Sequence, residues 1–434
     1  MKKYVPKYNI QMFAGIFLLT TGFYSTGYAQ GIDYRDYNFK SIDAHADSAS
    51  RMNFSTIKAL GEYLVKPAKN DLEKARAIYR WISSHIEYDA RSYFSNSYTP
   101  TDSENVFVSR RSVCDGYANL YESLAKVAGL EAVKISGYAK GYGYNAGGVL
   151  DSRPNHAWNA VKLNQKWYLV DSTWGAGYLE NQSFMRRFEN HYFLTPPGQF
   201  IYDHLPEESR WQLLDKPVSR DEYAALPYLR PDFFKNGLQL ISHPSGQISS
   251  TEQLLFTLGV NQRNIPENAS ADFAIMAMLY SRQKELDRRQ VLVQKKNNKV
   301  EILARFPGKG EYILRIFTRE PGASGRYFWA GDFQVEASAG TTEKFPLAYE
   351  TPGKEIYLLA PLQGELKPGQ SYNFTLEAPG AETVAVVAGK TWVFLKNENG
   401  RFTGAAKAEK GDNHVYVKYA NEQNFRGAFT FTGN

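Results

Sequence analysis

Ser112-Val113-Cys114-Asp115-Gly116-Tyr117-Ala118-Asn119-Leu120-Tyr121 is the stretch on which the reading of this chain turns. Tyr117, Tyr121, Leu124 and Ala128 fall on one face of a helix, and Gly129 ends it. Ser112 and Asp115 have the spacing of a capping box, which starts the helix between them. Cys114 then sits in the first turn. Unpaired backbone N–H groups and the positive end of the helix dipole face it there. Such a setting favours thiolate over thiol.

Cys114 is also the only cysteine among 434 residues. One cysteine excludes an internal disulfide framework and any thiolate-based zinc or iron–sulfur centre. The N-terminus makes its retention notable. Lys2, Lys3 and Lys7 precede an apolar run from Ile10 to Leu19, and small residues Gly27 and Ala29 offer a cleavage site before Gln30. Residues 1–29 read as a signal peptide, the alternative being an uncleaved anchor whose apolar core is short for a span. The expected product is exported, periplasmic or extracellular, with no stable membrane insertion after cleavage. In an oxidising compartment a lone thiol needs a reason to be kept: an intermolecular disulfide, inert burial, or service as a nucleophile. Removal of the leader takes the net charge from +6 to +3. With no dense basic stripe, nucleic acid is not an expected partner.

Upstream, Leu72, Ala75, Tyr79, Ile82 and Ile86 predict a helix over 71–86, with Asn70 and Glu73 as its capping box. A helix is also expected over 54–65, and 89–104 reads as a loop. Downstream, Ala132 to Ala139 alternates as a strand. The runs His156–Leu163 and Trp167–Trp174 read as a hairpin around Asn164 and Gln165. From Pro231 onward, short alternating runs separated by Gly, Pro and Asn predict β-sandwiches. A weak repeat divides them. Phe256-Thr257-Leu258 recurs as Phe374-Thr375-Leu376, and the pair 312–317 and 328–335 recurs as 415–419 and 425–431. The expected organisation is a catalytic domain over 30–230 and two all-β modules over 231–340 and 341–434.

A cysteine nucleophile needs a base and a group to orient that base. If Asn164 and Gln165 form the hairpin tip, opposed residues have numbers summing to 329. His156 and Asp171 then become diagonal neighbours on one face, with Cβ atoms about 7–8 Å apart. The competing readings are a satisfied core histidine and an aspartate that only starts a turn. Asp151 is a rival carboxylate. His45, His191, His204, His243 and His414 show no cysteine-helix or carboxylate context. Trp81 and Asn105 are the candidates for a second oxyanion donor.

The order of these elements resembles the transglutaminase-like superfamily. The resemblance rests on Val113–Ala118, on Asn155-His156-Ala157-Trp158-Asn159-Ala160-Val161, and on Tyr168-Leu169-Val170-Asp171-Ser172-Thr173-Trp174-Gly175. His191-Tyr192-Phe193-Leu194, the run 200–206 and Trp211-Gln212-Leu213-Leu214 are similar to its kyphoscoliosis-peptidase-like branch. The resemblance implies an α+β papain-like, transglutaminase-like core followed by two immunoglobulin-like sandwiches. It also implies Cys114 as nucleophile, His156 as base and Asp171 as orienter. The activity implied is acyl transfer on amide bonds of a protein or peptide, an envelope peptide included, with peptidase or amidase action ahead of cross-linking. A non-catalytic envelope scaffold that binds polypeptide is the alternative. No cofactor and no metal are expected; no EF-hand loop supports calcium activation.

Overall fold

The computed structural model describes residues 37–261, 273–319, 325–351, 354–420 and 422–434. The leader expected over 1–29 lies outside them. Among the described residues no helix is long and apolar enough to cross a membrane.

Two N-terminal helices, Ile57–Val65 and Asp71–His85, pack on the cysteine helix, Cys114–Val127, and a third, Lys40–Ser48, packs on Asp71–His85. The helix Asp71–His85 starts where expected, with Asn70 Oδ1 accepting from the Glu73 amide at 2.9 Å. The reciprocal half of the box is replaced: the Glu73 carboxylate accepts from Lys69 N–H and the Tyr37 hydroxyl. Lys40–Ser48 carries no strong sequence signal because only Ile42 and Ala46 of it are buried. Ion pairs hold it instead, Arg76 to Asp43 and Arg80 to Asp47, each at 2.7 Å.

The region 89–104 departs from a plain loop. Asp89 caps a short helix, Ala90–Ser95, and Asp102 caps another, Ser103–Ser109. In each, an aspartate carboxylate accepts the amide three residues on, which offsets the lost backbone freedom of a short helix.

Against the cysteine helix lies a five-stranded antiparallel sheet. Its order is Phe193–Thr195, Lys166–Val170, His156–Leu163, Glu131–Ala139 and His204–Pro206. His156–Leu163 is central and seven of its eight residues are buried. Asn159 Nδ2 donates to the Ala118 carbonyl at 3.1 Å and so locks the strand to the cysteine helix. The hairpin register is the one expected: Asn159 pairs with Val170 and Leu163 with Lys166. Asn164 and Gln165 both have positive φ, 49° and 64°, as a two-residue primed turn requires. The second strand ends at Val170 and does not reach Trp174. Asp171 turns the chain there, and Ser172–Ala176 is helical.

Beyond the short helices Arg220–Ala225 and Pro231–Lys235 the described residues are predominantly β. A sheet of Tyr228–Leu229, Phe328–Ala337, Gly310–Arg319, Ala274–Ser281 and Lys284–Glu285 faces one of Leu238–Leu240, Gln253–Val260, Lys299–Arg305 and Val291–Lys296. The second pair of sheets repeats this order strand for strand, from Leu347–Ala348 to Thr391–Phe394 and from Tyr357–Ala360 to Lys396–Glu398. Even the short parallel strand recurs, Gln247–Ser250 in the first and Glu365–Leu366 in the second. Phe256–Leu258 and Phe374–Leu376 occupy equivalent strands, so the weak sequence repeat marks a repeated topology.

Between the two sandwiches the packing is apolar and hydrogen-bonded. Leu292 of the first is fully buried in the core of the second. The Gln294 side chain exchanges hydrogen bonds with the Leu358 backbone, and Arg305 donates to the carbonyls of Lys344 and Leu362. The first sandwich is tied to the core by Lys235 and Glu189 at 2.6 Å.

Candidate active site

The cysteine helix begins at Cys114 with Val113, not Ser112, as its N-cap, and no side chain caps it. The expected Ser112–Asp115 box does not form. Asp115 points away and accepts from Lys134 Nζ, Thr101 Oγ1 and Asn119 Nδ2. Ser112 is buried, and a Cβ on Gly116 would come within 2.1 Å of its hydroxyl oxygen. Glycine two residues after the cysteine thus lets the first turn close onto Ser112 and Val106. The Gly116 and Tyr117 amides turn to the Val113 carbonyl, and with no side-chain cap the amides of Cys114 and Asp115 keep their donors for whatever lies before the helix. Cys114 is a free, partly exposed thiol.

His156 starts the central strand and Asp171 follows the next one. His156 Nε2 lies 2.8 Å from Asp171 Oδ2, both side chains being buried. With Nε2 engaged, the other ring nitrogen is left for Cys114, whose sulfur is close enough to act on the ring. The fold therefore brings Cys114, His156 and Asp171 into one neighbourhood. Burial works against a cation on His156. The Asp171 carboxylate and the Cys114 sulfur outweigh it and raise the imidazole from 6.5 to about 10. Burial likewise opposes charge on Asp171, yet His156 and His204 hold its carboxyl well below the ordinary range. Asp171 also shapes the backbone. Its Oδ1 accepts from Thr173 and Trp174 amides at 2.8 and 3.1 Å, capping the short helix. The turn-starting reading and the orienting geometry are both present in one residue, one oxygen for each.

Asp151, the rival carboxylate, is exposed and accepts from Asn155 Nδ2 at 2.6 Å. Trp81 is buried against His85 and beneath Arg110, and Asn105 is tied back to Asp102. Neither has the surroundings of an oxyanion donor. Tyr88 is a better neighbour of the sulfur. Its phenol is pushed up by burial and then by the charge on Cys114, so it remains an O–H donor beside the reactive group.

The structure also corrects the reading of His204, which has a carboxylate context on both sides. His204 Nε2 lies 3.1 Å from Asp171 Oδ2, and its Nδ1 lies 2.6 Å from Asp203 Oδ1. The Tyr192 hydroxyl donates to the other oxygen of Asp203 at 2.9 Å. The adjacency Asp203-His204 is the one signal in the chain that could have pointed to it. His204 stands on an edge strand paired to Glu131–Ala139 across Ala139, and only that pairing carries it to Asp171.

His156, Asp171 and His204 offer ligand atoms within 4.8 Å of one another, a spacing that suits a metal ion. The donor chemistry argues otherwise. Asp171 Oδ2 already accepts from both rings, and a metal there would need both nitrogens free of protons.

The transglutaminase-like superfamily matches residues 58–172, and the KY-like, immunoglobulin-like domain matches residues 220–348. Kyphoscoliosis peptidase of Mus musculus is 34% identical over 286 residues, 65% of this chain and 40% of the mouse protein. Its Homo sapiens counterpart is 25% identical over 87% of this chain and 74% of the human protein. Hillarin of Drosophila melanogaster is 32% identical over 49% of this chain and 28% of its own. The chain thus joins a transglutaminase-like domain to a KY-like, immunoglobulin-like domain, an arrangement that supports the kyphoscoliosis-peptidase-like branch of the transglutaminase-like superfamily.

Proposed function

We propose that this protein is an exported, cysteine-dependent enzyme that cleaves amide bonds of proteins or peptides by acyl transfer, acting as a peptidase or amidase before a cross-linker. The observation that carries this reading is His156 held between Asp171, at 2.8 Å, and Cys114. The mouse and human relatives carry the name peptidase, the branch this proposal takes.

In this mechanism the Cys114 sulfur attacks the amide carbonyl, and the resulting oxyanion is met by the Cys114 backbone N–H at the helix start. The C–N bond breaks as His156 gives its proton to the leaving amine, which leaves a thioester on Cys114. Water attacks the thioester, His156 takes the water's proton, and the carboxylic acid and free thiolate are restored. Asp171 fixes the ring and stabilises its cation throughout.

Lysine-dimethylated casein, incubated with the protein, tests this. New α-amines are expected with the wild type and none with Cys114→Ala. Ammonia release with capture of an added primary amine assigns the cross-linking branch instead. Equal products from both proteins would sink the enzyme and leave the scaffold. Export is tested separately: intact mass of the protein from its native host should begin at Gln30, whereas a chain retaining Met1 is anchored or unexported.

A further inference from the structure

Beyond the three residues gathered near the sulfur, His204 is buried, polar and unassigned. Asp171, Asp203 and His156 face its ring, with His191 and Tyr192 beside it. Lys140 and Arg230 act on the cluster through Asp203. Phe200 stacks on the ring at 4.0 Å and Trp174 packs at 4.4 Å, so its place is fixed on the apolar sides too. An ionised carboxylate only accepts hydrogen bonds. A ring between two carboxylates therefore donates from both nitrogens. The result is a run of alternating carboxylate and imidazole groups, from Asp203 through His204 and Asp171 to His156, that leads to Cys114.

We propose that His204 is a positioning residue of the site: anchored by Asp203, it donates to Asp171 Oδ2 and keeps that carboxylate ionised and aimed at His156. The inference rests on the Cys114–His156 reading above. Without the His204 N–H, Asp171 Oδ2 loses one of its two buried ring donors. Its carboxylate is then less well held against protonation, and the support it gives the His156 cation weakens toward acid pH.

The test is the pH profile of Cys114 alkylation by iodoacetamide in wild type, His204→Leu and His204→Gln. The Leu variant should show its acid limb moved up by about one pH unit. Its rate should fall roughly 10-fold at pH values below the wild-type limb and stay within about threefold at pH 8. Glutamine, which keeps an N–H toward Asp171, should recover part of the loss. An unchanged profile, or a uniform fall at every pH, overturns the proposal, the latter because it marks a structural role only. A second measurement needs no variant. Histidine 15N spectra of the wild type at pH 7 should show both His204 nitrogens protonated; a neutral tautomer overturns the proposal. The wild-type profile separates the two levels. If it is already that of a free thiol, the Cys114–His156 reading fails; if it is activated and His204→Leu matches it, only the role of His204 fails.

Discussion

At pH 6, iodoacetamide should modify Cys114 roughly 100-fold more slowly in His156→Ala than in the wild type. An ordinary thiol of pKa about 8.5 is well under 1% thiolate at that pH and gains about tenfold per unit toward neutrality. In the wild type the imidazolium beside the sulfur removes that dependence. His156 is held protonated up to about 10, so its cation faces the sulfur at all lower pH. The alkylation rate should therefore be nearly flat through the neutral range. The factor is kept to about 100 because a stabilised thiolate is also a weaker nucleophile. Above about pH 10 the imidazolium loses its proton while the thiolate stays. Alkylation then persists, but turnover, which needs that proton for the leaving amine, should fall. Stopped-time alkylation followed by mass spectrometry reads both limbs. A sloping wild-type rate that His156→Ala leaves unchanged would remove the activated nucleophile.

Asp171→Ala is the second large effect, and it falls on folding as well as chemistry. The substitution takes the acceptor from two buried imidazoles and from two backbone amides at once. Removing one partner of a buried charged cluster costs about 3–5 kcal/mol, because the remaining charge is left unpaired in low dielectric. Urea unfolding at pH 7 measures this. Asp171→Asn separates the cap from the charge. Its amide oxygen can still cap Thr173 and Trp174, but its NH2 would face two ring donors, so stability should recover in part while alkylation does not. The pH dependence has a definite sign. The Asp171 carboxyl is depressed in the folded protein, so its contribution is complete above the unfolded value of about 3.9. It is lost only as pH falls through the folded value. The wild type should thus resist mild acid, and Asp171→Asn should lose this part of the acid dependence.

What can be read from residues alone is whatever local pattern determines. The cysteine helix, the two-residue tip at Asn164 and Gln165, and the register that aligns His156 with Asp171 are all set by neighbours in the chain. The N-cap differs from its expected place because a Ser and an acid three apart also occur where tertiary contacts claim both. Here Lys134 and Thr101 take Asp115, and the tight turn at Gly116 leaves Ser112 packed rather than bonded. His204 is hidden for a different reason. It meets Asp171 across 33 residues, through an edge strand only three residues long. No periodicity reports such an encounter. The Lys40–Ser48 helix is silent in the pattern because ion pairs, not an apolar face, hold it down.

The way the two sandwiches share Leu292 has a mechanical meaning. A side chain of one module that completes the core of the next, braced by Gln294 and Arg305, makes a stiff joint rather than a tether. Load applied at the far end of the tail would not be absorbed by a slack linker. It would pass through the first sandwich to its pairing of Lys235 with Glu189, next to His191 and a short walk along the chain from Tyr192. Tension on the tail would thereby reach a contact packed beside the buried histidines.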